Sequence, residues 1–358
     1  MQTYNDIAIP LSWPDQTARG DEGWMAFFKR IGIVKNLNFK VGHAAILLVQ
    51  RSTGLIKYYD FGRYIVPRGF GRARSQSFDP RLVIRTQAEF SDTGEISNIR
   101  EILKELKDKE SATHGGGRLL YSICPSVSFT KGNVFAEKIV ADGPILYGAI
   151  APNNNSCSRY VAQVLTEAME SGDPRIRKIL YPESLKASPT SNVVNAADKN
   201  GVMCYHEGVL QQMKMTRRQS LLFQIRLLKE NFTKVGAQNL SSDSNTGWVE
   251  MPDRPKQIPS DAQWLGGIGE GAWFHLQHVE KINYLLRKYS VSGNIEYTTM
   301  VHCIQPIDLS RAHQFTYHFT HNNCSIEQDG NLFIFKNEQQ RQEKDLETEL
   351  ELKIKAIS

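Results

Sequence analysis

"VGHAAILLVQRSTGLIKYYDFGRYIV", residues 41–66, decides how the chain is built. Its first half is apolar on both faces of any strand it forms, so it belongs in the middle of a sheet. Ser52-Thr53-Gly54 is a turn signal, and a second strand follows it, which predicts a β-hairpin. One residue does not fit an apolar strand. His43 carries a titratable ring, and burying that ring costs desolvation unless it finds a partner. Gly42 beside it leaves room for close approach. Taken alone, such a histidine is more simply a core residue bonded to a backbone carbonyl.

The turn length decides what shares a face with His43. Side chains alternate along a strand, and directly paired residues point the same way. A two-residue turn at Thr53-Gly54 pairs Leu47 with Asp60, and a four-residue loop pairs Ala45 with Asp60. Either puts Asp60 on the face of His43. A three-residue loop puts it on the opposite face, and Tyr59, Phe61 or Arg63 then shares the histidine's side. The Ser-Thr-Gly turn fits all three.

A second stretch, "NNNSCSRYVAQVL" at residues 153–165, sets a thiol at the start of a helix. Asn155 or Ser156 suits the N-cap, and Tyr160, Val161, Val164, Leu165 and Ala168 follow at helical spacing. In the first turn, unpaired N–H groups and the helix dipole favour an anion, which lowers a thiol pKa. The plain alternative is that Cys157, Val161, Val164 and Ala168 form one core face. A cysteine nucleophile also needs a base, and His43 is the candidate.

The totals fit this picture. The chain has 358 residues, 41% hydrophobic and 23% charged, with a net charge of +5. That is a globular protein with room for two domains, and its mild basicity permits an anionic partner without demanding one. The 5 cysteines are scattered, odd in number and free of any CxxC pair, against a disulfide framework or a zinc ribbon. The first residues lack the layout of a signal peptide, and no apolar run approaches a membrane span. The expectation is a cytoplasmic protein with no transmembrane segment.

A histidine on a sheet strand and a cysteine at the start of a packed helix, in that order along the chain, resemble the circularly permuted NlpC-type papain-like cysteine hydrolases. The matching pieces are "VGHAAILLV" with its following strand and "NSCSRYVAQVL", within roughly residues 5–170. The whole chain also resembles an uncharacterised bacterial family with this domain and a C-terminal extension. The resemblance implies an α+β fold, with a central antiparallel sheet packed on the nucleophile helix. It implies Cys157 as nucleophile and His43 as base, and peptide or cell-wall amides as the usual substrates. Asp60 would be the third, orienting residue, and Arg63 and Tyr160 are the expected substrate contacts. No cofactor and no metal are expected.

Elsewhere, a helix is expected in "GWMAFFKRIGIV" (residues 23–34), another around residues 97–111, and a helix or strand pair at 128–144. The arginines of "PRGFGRARSQSFDPR" (67–81) read as a solvated loop at the rim of a cleft, able to meet an acidic group or a nucleic acid. No recognition motif supports nucleic acid, and none is expected. A polar Pro- and Ser-containing stretch suggests a boundary near residue 200, giving a hydrolase domain over 1–200 and an α+β domain over 201–358. In the latter, residues 207–232 and "HVEKINYLLRKYS" (278–290) read as helical, residues 296–337 as strands, and the charged tail 339–358 as a helix. His302, Cys303, His313, His318, His321 and Cys324 match no standard zinc spacing. "GGIGEGAWF" lacks the strand–helix setting of a dinucleotide loop. The sequence thus points to a cysteine amidase, peptidase or acyltransferase acting on a small-molecule, peptide or lipid-type amide or ester. The alternative is a non-catalytic interaction module on the same scaffold.

Overall fold

A computed structural model of the chain describes residues 3–21, 23–148, 151, 153–198 and 201–337. Helices and antiparallel sheets are mixed in it, consistent with an α+β fold. The chain forms two compact units. The first comprises the chain to Arg63, then Arg68–Gln76 and Arg81–Thr246; the second takes Tyr64–Pro67, Ser77–Pro80 and the chain from Gly247. The division therefore lies near residue 246, not near 200. Strand pairing explains the difference. Val202–His206 pairs with Leu119–Tyr121, so the chain beyond the polar stretch returns to the first sheet. That stretch is not a linker: it contains the helix Pro189–Ala196, whose Ser188 forms a capping box with Ser191.

Among the described residues the first unit holds a sheet of 9 strands. Across it run Val209–Met213, Val202–His206, Leu119–Tyr121, Asp6–Trp13, His43–Val49, Ile56–Gly62, Phe70–Arg74 and Ile145–Leu146, with Cys124–Val127 also pairing on Asp6–Trp13. The histidine strand His43–Val49 is buried throughout and flanked on both sides, as an apolar run requires. Its turn is closed by the Gln50 amide donating to the Leu55 carbonyl, 2.9 Å. That leaves a four-residue loop, and Ala45 pairs with Asp60.

Alternation then divides the core. Ile7, Ile9, Leu11 and Trp13 join Leu47, Val49 and Tyr58 on one face, packed on Ile102, Leu103 and Leu106 of the helix Ile99–Asp108. On the other face Leu48 meets the helix Phe129–Ala141 at Gly132. A Cβ built there would lie 2.9 Å from Leu48 Cδ1 and 3.1 Å from Ala168 Cβ. Glycine at that point lets this helix, the histidine strand and the cysteine helix Cys157–Ala168 approach closely. Residues 67–81, read as a loop, include the strand Phe70–Arg74. Residues 207–232 begin with the strand Val209–Met213 before the helix Arg217–Lys229.

The second unit is an antiparallel sheet of 7 strands among the described residues, with Trp273, Phe274, Leu286, Phe315, Phe319 and Phe335 in its core. From Gly247 to Asn337 it contains no helix, so the expected helix at 278–290 is instead most of a hairpin, Ala272–Glu280 with Asn283–Tyr289. Its inward positions are Tyr284, Leu286 and Lys288. A lysine at a buried site breaks the alternation that would have signalled a strand. Lys288 is 1% exposed and is held by Glu296 at 2.7 Å and Glu270 at 3.2 Å. In "GGIGEGAWF" a Cβ on Gly271 would lie 2.2 Å from the Trp264 ring, so that glycine serves packing. The tail expected to be helical lies outside the described residues.

Gly42 holds φ at +81°, and a Cβ there would sit 3.0 Å from both the Trp13 carbonyl oxygen and Pro14 Cα. Gly69 has a similar φ of +89° in open space. Gly42→Ala is expected to cost about 2 kcal/mol and Gly69→Ala about 1 kcal/mol, read by urea unfolding. Equal losses would contradict the crowding described beside His43.

Candidate active site

The thiol is placed by a helix start. Ser156 is the N-cap: its backbone is extended and its hydroxyl accepts the Arg159 amide at 3.3 Å. Asn155 is fastened on both sides. Its Oδ1 accepts the Ser156 amide at 2.9 Å, and its Nδ2 donates to Gln163 Oε1 at 2.9 Å. Cys157 is therefore the first helical residue, where N–H groups have no helical acceptor. It is also the one cysteine of the five that is not buried. From behind, Asn192 Nδ2 donates to the Ser158 carbonyl at 2.7 Å and ties the cysteine helix to the helix Pro189–Ala196.

The histidine strand brings the candidate base. His43 Nε2 faces Asp60 Oδ2 at 3.4 Å, which leaves Nδ1 as the nitrogen that can serve the thiol. Asp60 is fully buried, and three other donors hold it. Arg74 is bidentate, with Nε at 2.9 Å from Oδ1 and Nη2 at 2.5 Å from Oδ2, and Tyr58 donates its hydroxyl at 2.9 Å. Trp13, opposite His43 in the ladder, stacks on the imidazole with ring centroids 5.7 Å apart and planes at 16°. The ring is thus fixed by a carboxylate at one edge and an indole against its face.

The electrostatics follow. Burial disfavours the charged imidazolium, but hydrogen bonds to Asp60 and Cys157 and their negative charge outweigh it, raising the His43 pKa to about 9. Burial also opposes the thiolate, yet the hydrogen bond and charge of His43, the Ser158 hydroxyl and the Ala44 amide lower the Cys157 pKa. Asp60 is buried too, but the Arg74 charge and the bonds from His43 and Arg74 bring its pKa down to about 2. Base up and thiol down is the condition for an imidazolium–thiolate pair at neutral pH.

The other expected contacts are placed differently. Tyr160 is wholly buried, lies 6.0 Å from the Phe61 ring centroid and donates its hydroxyl to the Ala136 carbonyl. It is a strut between the cysteine helix and its surroundings, not a surface for substrate. Arg63 has its guanidinium 4.8 Å above the Tyr147 ring, and Tyr147 bridges to Asn155. The basic run is not a solvated loop. Arg68 is exposed and pairs with Asp21, but Arg72 and Arg74 are buried. No cluster of three metal-ligating side chains occurs among the described residues, and Cys303 and Cys324 are buried. Trp13 and Tyr58 carry no sequence signal as site residues, and Arg74 reads in the sequence only as one of the basic loop's arginines. Arg74 had a signal: once "GRARS" is a strand, Asp60 and Arg74 are cross-strand partners.

Residues 8–173 match the family model of type VI secretion system effector TseH-like proteins, and residues 262–338 match the DUF6695 C-terminal domain. No curated protein matches the chain. Among solved structures, a crystal structure of the type VI secretion system effector TseH aligns at 20% identity with a TM-score of 0.40, covering 59% of this chain and 99% of that one. No helix among the described residues is long and apolar enough to cross a membrane.

Asp60 ionises in the fold far more readily than its ordinary value of 3.8. Its contribution to stability is therefore present above about 4 and lost as pH falls through about 2. Arg74→Met leaves that carboxylate buried without its main cation. It is expected to cost about 3–5 kcal/mol at neutral pH and to move the acid loss to higher pH, both read by urea unfolding across pH. A change below about 1 kcal/mol would mean the pair carries no more than a surface ion pair.

Proposed function

We propose that the first unit is a cysteine hydrolase or acyltransferase of the permuted papain-like type, acting on an amide or ester through Cys157 and His43. The observation that carries this reading is the pairing of His43 with a partly buried thiol at a helix start, with Asp60 3.4 Å from the other side of the ring. The match of residues 8–173 to TseH-like effectors supports a hydrolase that acts as a type VI secretion effector. Five unpaired cysteines fit a chain made and kept reduced in the cytoplasm. Peptide and cell-wall-type amides are the substrate class that the papain-like resemblance implies.

In this mechanism the Cys157 thiolate attacks the carbonyl carbon, and negative charge develops on the carbonyl oxygen. The N–H groups at the start of the cysteine helix stabilise that oxyanion. The His43 imidazolium gives its proton to the departing amine or alcohol, leaving a thioester on Cys157. His43, now neutral, takes a proton from the water that attacks the thioester; the C–S bond breaks, the carboxylic acid departs and the imidazolium–thiolate pair is restored. If another nucleophile takes water's place, the same steps transfer the acyl group. Asp60 and Trp13 hold the ring through both proton transfers. Arg63, buried at 8% exposure with its guanidinium over Tyr147 beside Asn155, is the proposed contact for an acidic group that enters this end of the site.

Purified peptidoglycan and its peptide fragments are the first substrates to test, with products read by mass spectrometry. Cys157→Ala is expected to abolish cleavage, and His43→Ala to slow it at least about a hundredfold. A thioester adduct should be trapped on Cys157. Cleavage that survives Cys157→Ala would remove the proposed nucleophile.

A further inference from the structure

The helix Gly23–Arg30 buries none of its residues. Its inner side is already apolar: Met25 and Phe28 pack on Val34, Leu37 and Phe39, together with Leu228 from the helix Arg217–Lys229. The outer side is apolar as well. Trp24 is 51% exposed, Phe27 57% and Ile31 51%, at helical spacing. The helix Arg217–Lys229, which shares that small cluster, also exposes Leu222 and Ile225, one turn apart. The core accounts for the inner side and leaves the outer stripes without a role inside the first unit.

Charge identifies what covers them. Residues 23–35 hold 3 cations and no acid, and residues 217–235 hold 5 cations and 1 acid. Among the described residues, Asp21 pairs with Arg68, Asp243 with Lys29, Glu230 with Lys40 and Glu183 with Arg217. Arg30, Lys35, Arg218, Arg226, Lys229 and Lys234 are exposed beside the apolar stripes. On the second helix, Arg218, Leu222, Ile225 and Lys229 follow one line, with a cation at each end.

We infer that this face docks on an anionic lipid surface. Exposed aromatic and aliphatic side chains flanked by cations are how a helix lies in a membrane interface: the apolar groups enter the headgroup boundary and the cations meet anionic lipids. A second copy of this chain is a poor occupant, because it would bring like-charged faces together. A nucleic acid would satisfy the cations but leave the aliphatic stripes wet. The inference is independent of the catalytic reading, since docking needs neither Cys157 nor His43.

The test is vesicle flotation of the full chain carrying Cys157→Ala. The vesicles are phosphatidylcholine alone or with about one-third phosphatidylglycerol. Binding is expected only to the anionic vesicles and should weaken as salt rises. Trp24→Ser with Phe27→Ser, and separately Arg226→Glu with Lys229→Glu, should each weaken it about tenfold. Leu332→Ser with Ile334→Ser, exposed apolar residues of the second unit, should leave it unchanged. All these side chains are exposed, and an unchanged unfolding midpoint checks each fold. Brominated lipid should quench tryptophan emission, and Trp24→Phe should remove that quenching while retaining binding. No binding at low salt, equal binding to neutral vesicles, or indifference to the Trp24 and Phe27 substitutions would overturn the inference.

Discussion

Asp60 puts a negative charge at 0% exposure inside the sheet, and the arrangement around the thiol follows from how that charge is satisfied. An isolated buried carboxylate would neutralise itself by taking a proton. Here Arg74 prevents this by meeting both oxygens, and Tyr58 adds a third donor. What remains of the carboxylate's field is directed at His43. The same Arg74 that keeps Asp60 ionised also offsets part of its charge. The imidazole is therefore oriented by a carboxylate that does not itself compete for the proton. Trp13 closes the remaining freedom by covering the ring face, and its position opposite His43 comes directly from the register of the first two ladder strands.

Much of this was legible because short-range physics writes itself into sequence. An apolar run with one histidine, followed by a turn signal, is a central strand and its partner. A serine ahead of a helical pattern is a cap, and it puts Cys157 at the helix start. What was not legible depended on registers and long-range partners. Turn length alone decided which face Asp60 occupied, and a two-residue and a four-residue loop gave the same answer. Arg72 and Arg74 looked solvated because arginines among glycines usually are; only the pairing of Asp60 with Arg74 makes burial affordable for one of them. Tyr160, an expected substrate contact, sits one helical turn from Cys157. Its side chain instead points to the packed side, against Phe61.

The second unit teaches the same lesson from another direction. Residues 278–290 have apolar positions that fit a helix if Lys288 is taken as exposed. Lys288 is buried against Glu270 and Glu296 instead, and with it counted as an inward position the period becomes two. Buried charges satisfied by distant partners hide strand patterns, both here and at Arg74. The boundary near residue 246 was hidden for a related reason. Composition changes near residue 200, but the ladder does not end there.

The central claim is that His43 and Cys157 form a reactive ion pair. Its most direct test is the rate of Cys157 alkylation by iodoacetamide across pH, followed by mass spectrometry in the native chain and in His43→Ala. The account predicts a thiolate that titrates well below about 8.5, the ordinary value for free cysteine, and a shift back toward that value when His43 is lost. An inert thiol, or an ordinary titration indifferent to His43, would contradict it and leave the scaffold as an interaction module without catalysis.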